Sequence, residues 1–406
     1  MQVEDQTFAP PPSAELRHLL IGLNAVPDLP RASLCVLGRD LGPWLHSAAP
    51  SQADTKLARQ LGLPRLHLEQ ALSELAGCED RAATELSLAE QRGERIVTRL
   101  DPDYPACLHD LPLPPPVLYL SGRLPALPGI SIVGSRATDD YGREVAEVFA
   151  EELARAGLTV VSGFARGVDG AAHRGAVNAP GATVAVLGCG LDVSYPRAHG
   201  QLRQRVAEHG ALVSEFSYGT YPRGWQFPVR NRVIAAMGRG TLVVRAAARS
   251  GSLITARLAL ELGREVFAIP GRIFDRGGPG PNSLIRDGAY LVQHPREILE
   301  ALHIPTRLSA GAEDDLRARH RDEPHEERAP DPGSTSDSTS TRKLPQLPGQ
   351  QGEILAAIPT ATGRTAEEIA TTAGCGIERT LALLLDLELA GRVRRLPGPT
   401  FTRGDG

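Results

Sequence analysis

Between residues 129 and 304, short apolar runs alternate with longer amphipathic stretches. No other feature of the chain restricts its fold as strongly. The runs are ISIVG, LTVVSG, TVAVLG, ALVSEF, TLVVRA and EVFAIPG. Between them lie segments with apolar residues at helical spacing, such as YGREVAEVFAEELARAG and LITARLALELG. Continuous rather than alternating hydrophobicity in the short runs is expected of strands buried on both faces. Strand and helix in regular alternation predict an α/β domain built on a mostly parallel sheet with helices on either side.

The flanking segments read differently. Residues 14 to about 90 have helical periodicity, as in AELRHLLIGL and TKLARQLGL. Residues 101–124 are rich in proline and read as an extended connector ending in a short strand, VLYL. From 308 to 347 the hydrophobic pattern is lost. Charged residues and then Ser, Thr and Pro dominate, and such a segment buries too little apolar surface to order itself, so a flexible linker is expected. A core pattern returns over 350–403. EILAAI, TAEEIATTAG and GIERTLALLLDLELAG read as three helices, with a tight turn at Gly374-Cys375-Gly376 between the second and third. RVRRLPGPTFTR reads as two strands around a Pro-Gly turn, and three helices plus a hairpin predict a winged helix-turn-helix.

Composition sets outer limits. A chain of 406 residues suggests two or three domains, and 41% hydrophobic with 23% charged residues fits a globular protein. No basic-then-apolar leader pattern and no apolar run of about 20 residues is present, so a cytoplasmic protein without a membrane span is expected. The five cysteines, Cys35, Cys78, Cys107, Cys189 and Cys375, lack ligand spacing, and neither a metal site nor a disulfide framework is expected. The formal net charge of −4 argues weakly against a non-specific nucleic-acid binder, although a basic cleft is compatible with an acidic whole. Lys56 and Lys343 are the only lysines, so the choice of Arg over Lys is global and marks no single position.

In an open parallel sheet, ligands bind beyond the carboxyl ends of the strands. The loops there carry glycine, arginine and small polar residues. Gly134-Ser135-Arg136 follows the first strand. SGFARGVDGAAH, with Ser162, Gly163, Arg166 and Gly167, follows the second, and GCGLDVSYPRAH the third. SYGTYPRGWQFPVRNR follows the fourth, AAARSGSLITA the fifth and PGRIFDRGGPGPNSLI the sixth. Glycine admits close backbone approach, helix N-termini attract anions, and arginine binds phosphate through two parallel hydrogen bonds. Several such loops on one edge predict a polyanion site. A dinucleotide would want GxGxxG after the first strand and an acidic residue about 20 positions on, and GSRATDDYG does not fit. The fourth loop places Tyr218, Tyr221, Trp225 and Phe227 among Arg223, Arg230 and Arg232, in a chain only 4% aromatic. Aromatic rings interleaved with arginine suit a single strand, whose bases stack while its phosphates meet guanidinium groups.

Each residue also has a plainer reading. Gly134 and Gly163 serve equally as turn glycines, and Trp225 as core packing. Arg230 and Arg232 fit a solvated helix face. His173 reads as a packing residue and Asp169 as a helix-stabilising one. Glu215 is the best candidate acid but has no obvious partner, and no triad or metal constellation is evident.

GSRATDDYG, SGFARGVDGAAHRGA, LGCGLDVSYP, SEFSYGTYPRGWQFPVRNRVIAAM, SGSLITA and PGRIFDRGGPGPNSLIRDGA resemble, in order, the motif series of the DprA (Smf) family of DNA-processing proteins. The connector DPDYPACLHDLPLPPPVLYLSG resembles its counterpart too, and the likeness covers about 95–292. The N-terminal helices are similar to the family's variable, SAM-like helical domain, though LNAVPDLPRASLCVL lacks a hairpin glycine pair. The resemblance implies a Rossmann-like domain over 95–304 that binds single-stranded DNA and forms a homodimer. It further implies a non-catalytic mediator, without cofactor, that protects incoming DNA and loads RecA during natural transformation and recombination. Carried over by position, Gly134, Ser135 and Arg136 would hold backbone phosphate, with Ser162, Gly163 and Arg166 in the same pocket. Phe227, Arg230, Asn231 and Arg232 would contact bases or phosphates. Ser250, Gly251, Ser252 and Thr255 would form the floor, with Asn282 nearby. Members often carry an acidic residue where this chain has Arg245, which would make the edge more basic or alter a pocket hydrogen bond.

A different class, a nucleotide-processing enzyme of phosphoribohydrolase type, would carry PGGxGTxxE, and PGRIFDRGGPG has the glycines without the Thr and Glu. A transcription factor is disfavoured by GIERTLALLLDLELAG, in which Arg379 is the only strong base. The wing, with Arg392, Arg394 and Arg395, is the better nucleic-acid candidate there, and partner-protein binding fits it equally.

Overall fold

Wholly buried runs of Val, Ile, Leu and Ala build the centre of the sheet. β3 (Gly129–Val133), β4 (Thr159–Ser162), β5 (Thr183–Leu187) and β6 (Gly210–Ser214) have no exposed residue. This is why their sequences read as unbroken apolar runs instead of an alternation. The computed structural model describes residues 13–27, 29–39, 61–125, 129–179, 181–305, 350–359 and 363–374, together with parts of 380–403. Residues 308–347, expected to be a linker, and the Cys375-Gly376 turn lie outside the described residues.

Helices α1 (Ser13–Asn24), α2 (Arg31–Arg39), α3 (Arg65–Ser73) and α4 (Cys78–Gln91) precede the sheet. Two strands then enter, β1 (Arg95–Thr98) and β2 (Val117–Gly122), of which only the second was expected. From β3 onward strand and helix alternate, through α5 (Asp140–Arg155), α6 (Val168–Asn178), α7 (Gly200–His209) and α8 (Gln226–Met237). β7 (Gly238–Val243), α9 (Gly251–Glu261), β8 (Glu265–Ala268), α10 (Pro279–Arg286), β9 (Tyr290–Leu291) and α11 (Pro295–Ala301) complete the unit.

The sheet has nine strands in the order β1-β2-β6-β5-β4-β3-β7-β8-β9. The run from β6 to β9 is parallel, while β1 and β2 add an antiparallel edge. Neighbouring side chains of one strand serve opposite faces. Ile130 and Ile132 pack with Phe149, Ala171 and Leu299 on one side. Val161, Val186 and Val213 pack with Ile234 and Ala256 on the other. Ser131, also on that second face, loses no polar partner, because its Oγ donates to Ile234 O at 2.7 Å. The order reverses at β4-β3-β7, and connections leave the centre of the sheet in both directions from that crevice.

The N-terminal helices close a third core, in which Leu20, Leu37 and Leu72 meet Tyr119, Leu187 and Leu212 of the sheet. Helices and sheet form one compact unit spanning Met1–Ser309. The remaining unit contains α12 (Gln350–Ala357), α13 (Ala366–Ala373) and a three-stranded sheet. Its strands are β10 (Arg364–Thr365), β11 (Val393–Arg395) and β12 (Thr400–Arg403), ordered β10-β12-β11. Thr365 and Glu368 satisfy each other's backbone N–H groups at the start of α13, at 3.3 and 2.9 Å, a reciprocal cap that stops the strand and starts the helix. Ile354, Ile369, Leu384, Val393 and Phe401 form its core. Among the described residues no helix is long and apolar enough to cross a membrane.

Candidate nucleic-acid interface

The loop after β3 is wedged between two neighbours. Ser135 N donates to Arg245 O at 2.7 Å, and Val168 N donates to Ser135 O at 3.2 Å. No side chain fits at Gly134, where a Cβ would lie 2.6 Å from Val168 Cγ2. At Gly167, φ is +78° and a Cβ would lie 2.3 Å from Ser135 O, so only glycine serves. With its backbone held on both sides, the loop delivers Arg136 to the surface. The guanidinium carbon of Arg136 sits 4.5 Å above the Phe227 ring, at the start of α8. Phe227 in turn lies 5.8 Å from the Tyr195 ring and against Gly188, where a Cβ would come within 2.9 Å of Phe227 Cδ1.

Arg136, Phe164, Arg166, Gly188, Tyr195 and Phe227 thereby line one cleft at the carboxyl edge of the sheet. Arg136 and Arg166 are exposed, and among the described residues neither forms an ion pair with a carboxylate. The cleft therefore presents net positive charge beside a ring pair. Phe164 holds a left-handed backbone, φ 57°, between His173 at 5.6 Å and His199 at 5.1 Å. A bulky residue in that region costs of order 1–3 kcal/mol and persists only where packing enforces it.

Other predicted contact residues point inward. Arg230 is buried and donates through Nη1 to Gly163 O at 2.6 Å and to Val186 O. Burial pushes its guanidinium down to about 10, although the Asp169 carboxylate opposes this. Asp169 is itself buried and raised by that burial, with Arg230 working against the shift. A Cβ at Gly163 would lie 2.7 Å from both groups, so that glycine makes room for the pair. Ser162 donates to Ile132 O at 2.6 Å inside the sheet, and Asn231 donates to Gly251 O at 3.3 Å, joining α8 to α9.

Arg232 is neither on a solvated face nor in the cleft. It forms a two-pronged pair with Glu215, at 2.7 and 3.3 Å, and touches Cys35 Sγ at 3.5 Å. Burial alone would lower the Arg232 guanidinium, but Glu215 and Cys35 outweigh it and hold it above its ordinary value. The same junction is sealed by Arg31 and Asn24, which donate to Glu215 O at 3.1 and 3.2 Å. Glu215, the candidate acid, is thus a clamp between the N-terminal helices and the sheet. His173 is fully buried, hydrogen-bonded through Nδ1 to Thr183 Oγ1 at 2.7 Å, and pushed down to about 3 by burial and the neighbouring His199.

The floor residues also hold structure. Ser250 caps α9, its Oγ 3.4 Å from Ser252 N and 2.7 Å from Ser252 Oγ, with Gly251 exposed between them and Thr255 buried one turn on. Asn282 clasps Gly271 in both directions, at 3.0 and 2.8 Å. The Arg245 guanidinium neither makes the edge more basic nor bonds within the cleft. Its Nη2 meets Asp139 at 2.6 Å and Asp275 at 3.3 Å, and the side chain is buried.

In the aromatic loop, Tyr221 and Trp225 are exposed, Trp225 partly packing edge-on against Phe216 at 6.1 Å. Tyr218 turns away, donating to Glu94 at 2.8 Å. Sequence reasoning missed Tyr195 and the strained Phe164. The first lies in a loop noted for glycine, arginine and small polar residues and not for its aromatic ring, and no local signal marks the second.

The family model described as DNA recombination-mediator protein A matches residues 95–303, and a second, DprA winged helix domain, matches 338–399. Protein Smf of Escherichia coli is 36% identical over 354 residues, covering 86% of this chain and 88% of the relative. DNA processing protein DprA of Bacillus subtilis is 39% identical over 220 residues, covering 53% and 74%. The X-ray structure of DNA processing protein A from Streptococcus pneumoniae superposes with a TM-score of 0.60 at 31% identity, covering 70% of this chain and 97% of that one.

Proposed function

Since the chain belongs to the DNA recombination-mediator protein A family of DNA-processing proteins, we propose that it binds single-stranded DNA along the cleft at the carboxyl edge of its sheet and acts there without catalysing a reaction. The observation that carries this reading is Arg136 over the Phe227 ring, with Tyr195 alongside. A guanidinium and two aromatic faces at one mouth suit phosphate and base of the same nucleotide, and stacking of this kind tolerates any sequence. Double-stranded DNA would keep its bases out of reach of Phe227.

A non-catalytic role is supported by the fate of the candidate acids and bases. Glu215 is engaged by Arg232, Asp169 is buried with Arg230, and His173 is held neutral inside the sheet layer. A mediator hands its strand to a recombinase, and loading of RecA on incoming DNA during natural transformation is the finer form of the proposal. Homodimerisation is read onto the edge strand β9, whose Tyr290 and Leu291 are exposed and which, among the described residues, pairs only with β8.

The test is a gel-shift titration of single- against double-stranded oligonucleotides, using the full chain and a chain ending at Ser309. Preference for the single strand in both supports the proposal. Equal affinity for duplex, or complete loss on truncation, overturns it.

A further inference from the structure

The loop between β8 and α10 carries the most exposed large apolar side chain among the described residues. Phe274 is 94% exposed and Ile273 beside it 74%. An exposed apolar tip is ordinary on a slack loop, but this one is fastened on both sides of the tip. Asp275 N donates to Arg272 O at 3.2 Å and Gly278 N to Asp275 O at 3.0 Å, while Ala246 N donates to Gly277 O at 2.9 Å. Asn282 clasps Gly271, and Arg245 holds Asp275. Gly278 packs so closely that a Cβ there would meet Arg272 O at 2.2 Å. The backbone has little freedom to fold Phe274 back onto the protein, so its apolar area remains presented to whatever binds.

Charge narrows the occupant. Arg272 and Arg276 flank the tip and are exposed, as is Arg249 in the adjoining loop, and among the described residues none has an acidic partner. The one carboxylate within the loop, Asp275, is taken by Arg245. Arg245 also ties this loop to the cleft, because its carbonyl accepts from Ser135 N at 2.7 Å while its guanidinium lies 5.6 Å from the ring of Tyr141, itself half exposed. An apolar face between unpaired guanidinium groups suits a base flanked by phosphates, and the link through Arg245 to the Arg136 loop favours the strand held in the cleft as its occupant.

We infer that the Arg272–Arg276 loop is a second contact for single-stranded DNA, where Phe274 stacks on a base of the strand as it leaves the cleft and Arg272 and Arg276 meet its phosphates. This rests on the reading of the cleft given above and extends the bound strand across β3, β7 and β8.

Binding of the full chain to a short oligo-dT of about five nucleotides and a long one of about twenty separates the two contacts. Phe274→Ala is expected to weaken the long oligonucleotide about tenfold and leave the short one unchanged, since one stacked base is lost. Arg272→Glu with Arg276→Glu is expected to do the same and to flatten the salt dependence for the long strand only. Arg136→Ala, by contrast, should weaken both lengths, and failure there would indict the cleft instead of the loop. Unchanged long-strand affinity in both loop variants overturns the inference. So does a change confined to the sedimentation-derived oligomeric state, which would make the loop a protein contact.

Discussion

At the scale of single residues, the arginines of the site divide into two kinds that sequence alone could not separate. Arg136 is exposed over Phe227, whereas Arg230 is buried beneath the cleft. Arg136→Ala should therefore leave the urea midpoint unchanged and weaken single-strand binding about tenfold, with a shallower salt slope because one phosphate contact is gone. Arg230→Ala should do the reverse of a surface change. It leaves Asp169 buried without its counter-charge, and stability measured by urea unfolding should fall by about 3 kcal/mol. His173 supplies a pH signature. Its folded-state value of about 3 lies below the unfolded value near 6.5, so between those limits the unfolded chain binds the extra proton. Stability should be intact above about pH 6.5 and fall as pH drops towards 3, by up to about 1.4 kcal/mol per pH unit. The groups acting on it, His199, Arg230 and Arg174, all oppose its protonation. His173→Gln should flatten that limb of the urea-unfolding profile, and an unchanged slope would show that His173 is reached by water.

At the scale of elements, glycines and caps place the loops, and acid–arginine pairs join the layers. The strand–helix alternation and the loops at the carboxyl edge were legible because buried parallel strands and turn glycines leave local patterns. Which way a side chain leaves its loop has no such pattern. Ser162, Asn231 and Asn282 have the small polar character of ligand-binding residues, yet they bond Ile132, Gly251 and Gly271. Arg232, on α8, and Glu215, just past the end of β6, lie 17 positions apart, so their pairing depends on tertiary structure. Strand β1 escaped notice because RIVT offers only four residues without alternation, too few to stand out directly after a helical segment. The Glu215 clamp holds the N-terminal helices to the sheet through Arg232, Arg31 and Asn24. Glu215→Ala should lower stability by about 3 kcal/mol, since a buried guanidinium is left unpaired. A Glu215→Leu/Arg232→Met double variant should recover most of that loss in the same unfolding assay, because an apolar pair of similar volume avoids the desolvation cost.

At the scale of the whole molecule, the proposed cleft, its supporting pairs and the Phe274 loop all belong to the unit spanning Met1–Ser309. The most direct measurement is a crystal structure of the Met1–Ser309 unit soaked with oligo-dT. The account predicts a base against Phe227 and Tyr195 with its phosphate on Arg136. Nucleotides bound on another face, with Arg136 still lying over an unoccupied Phe227 ring, would contradict it.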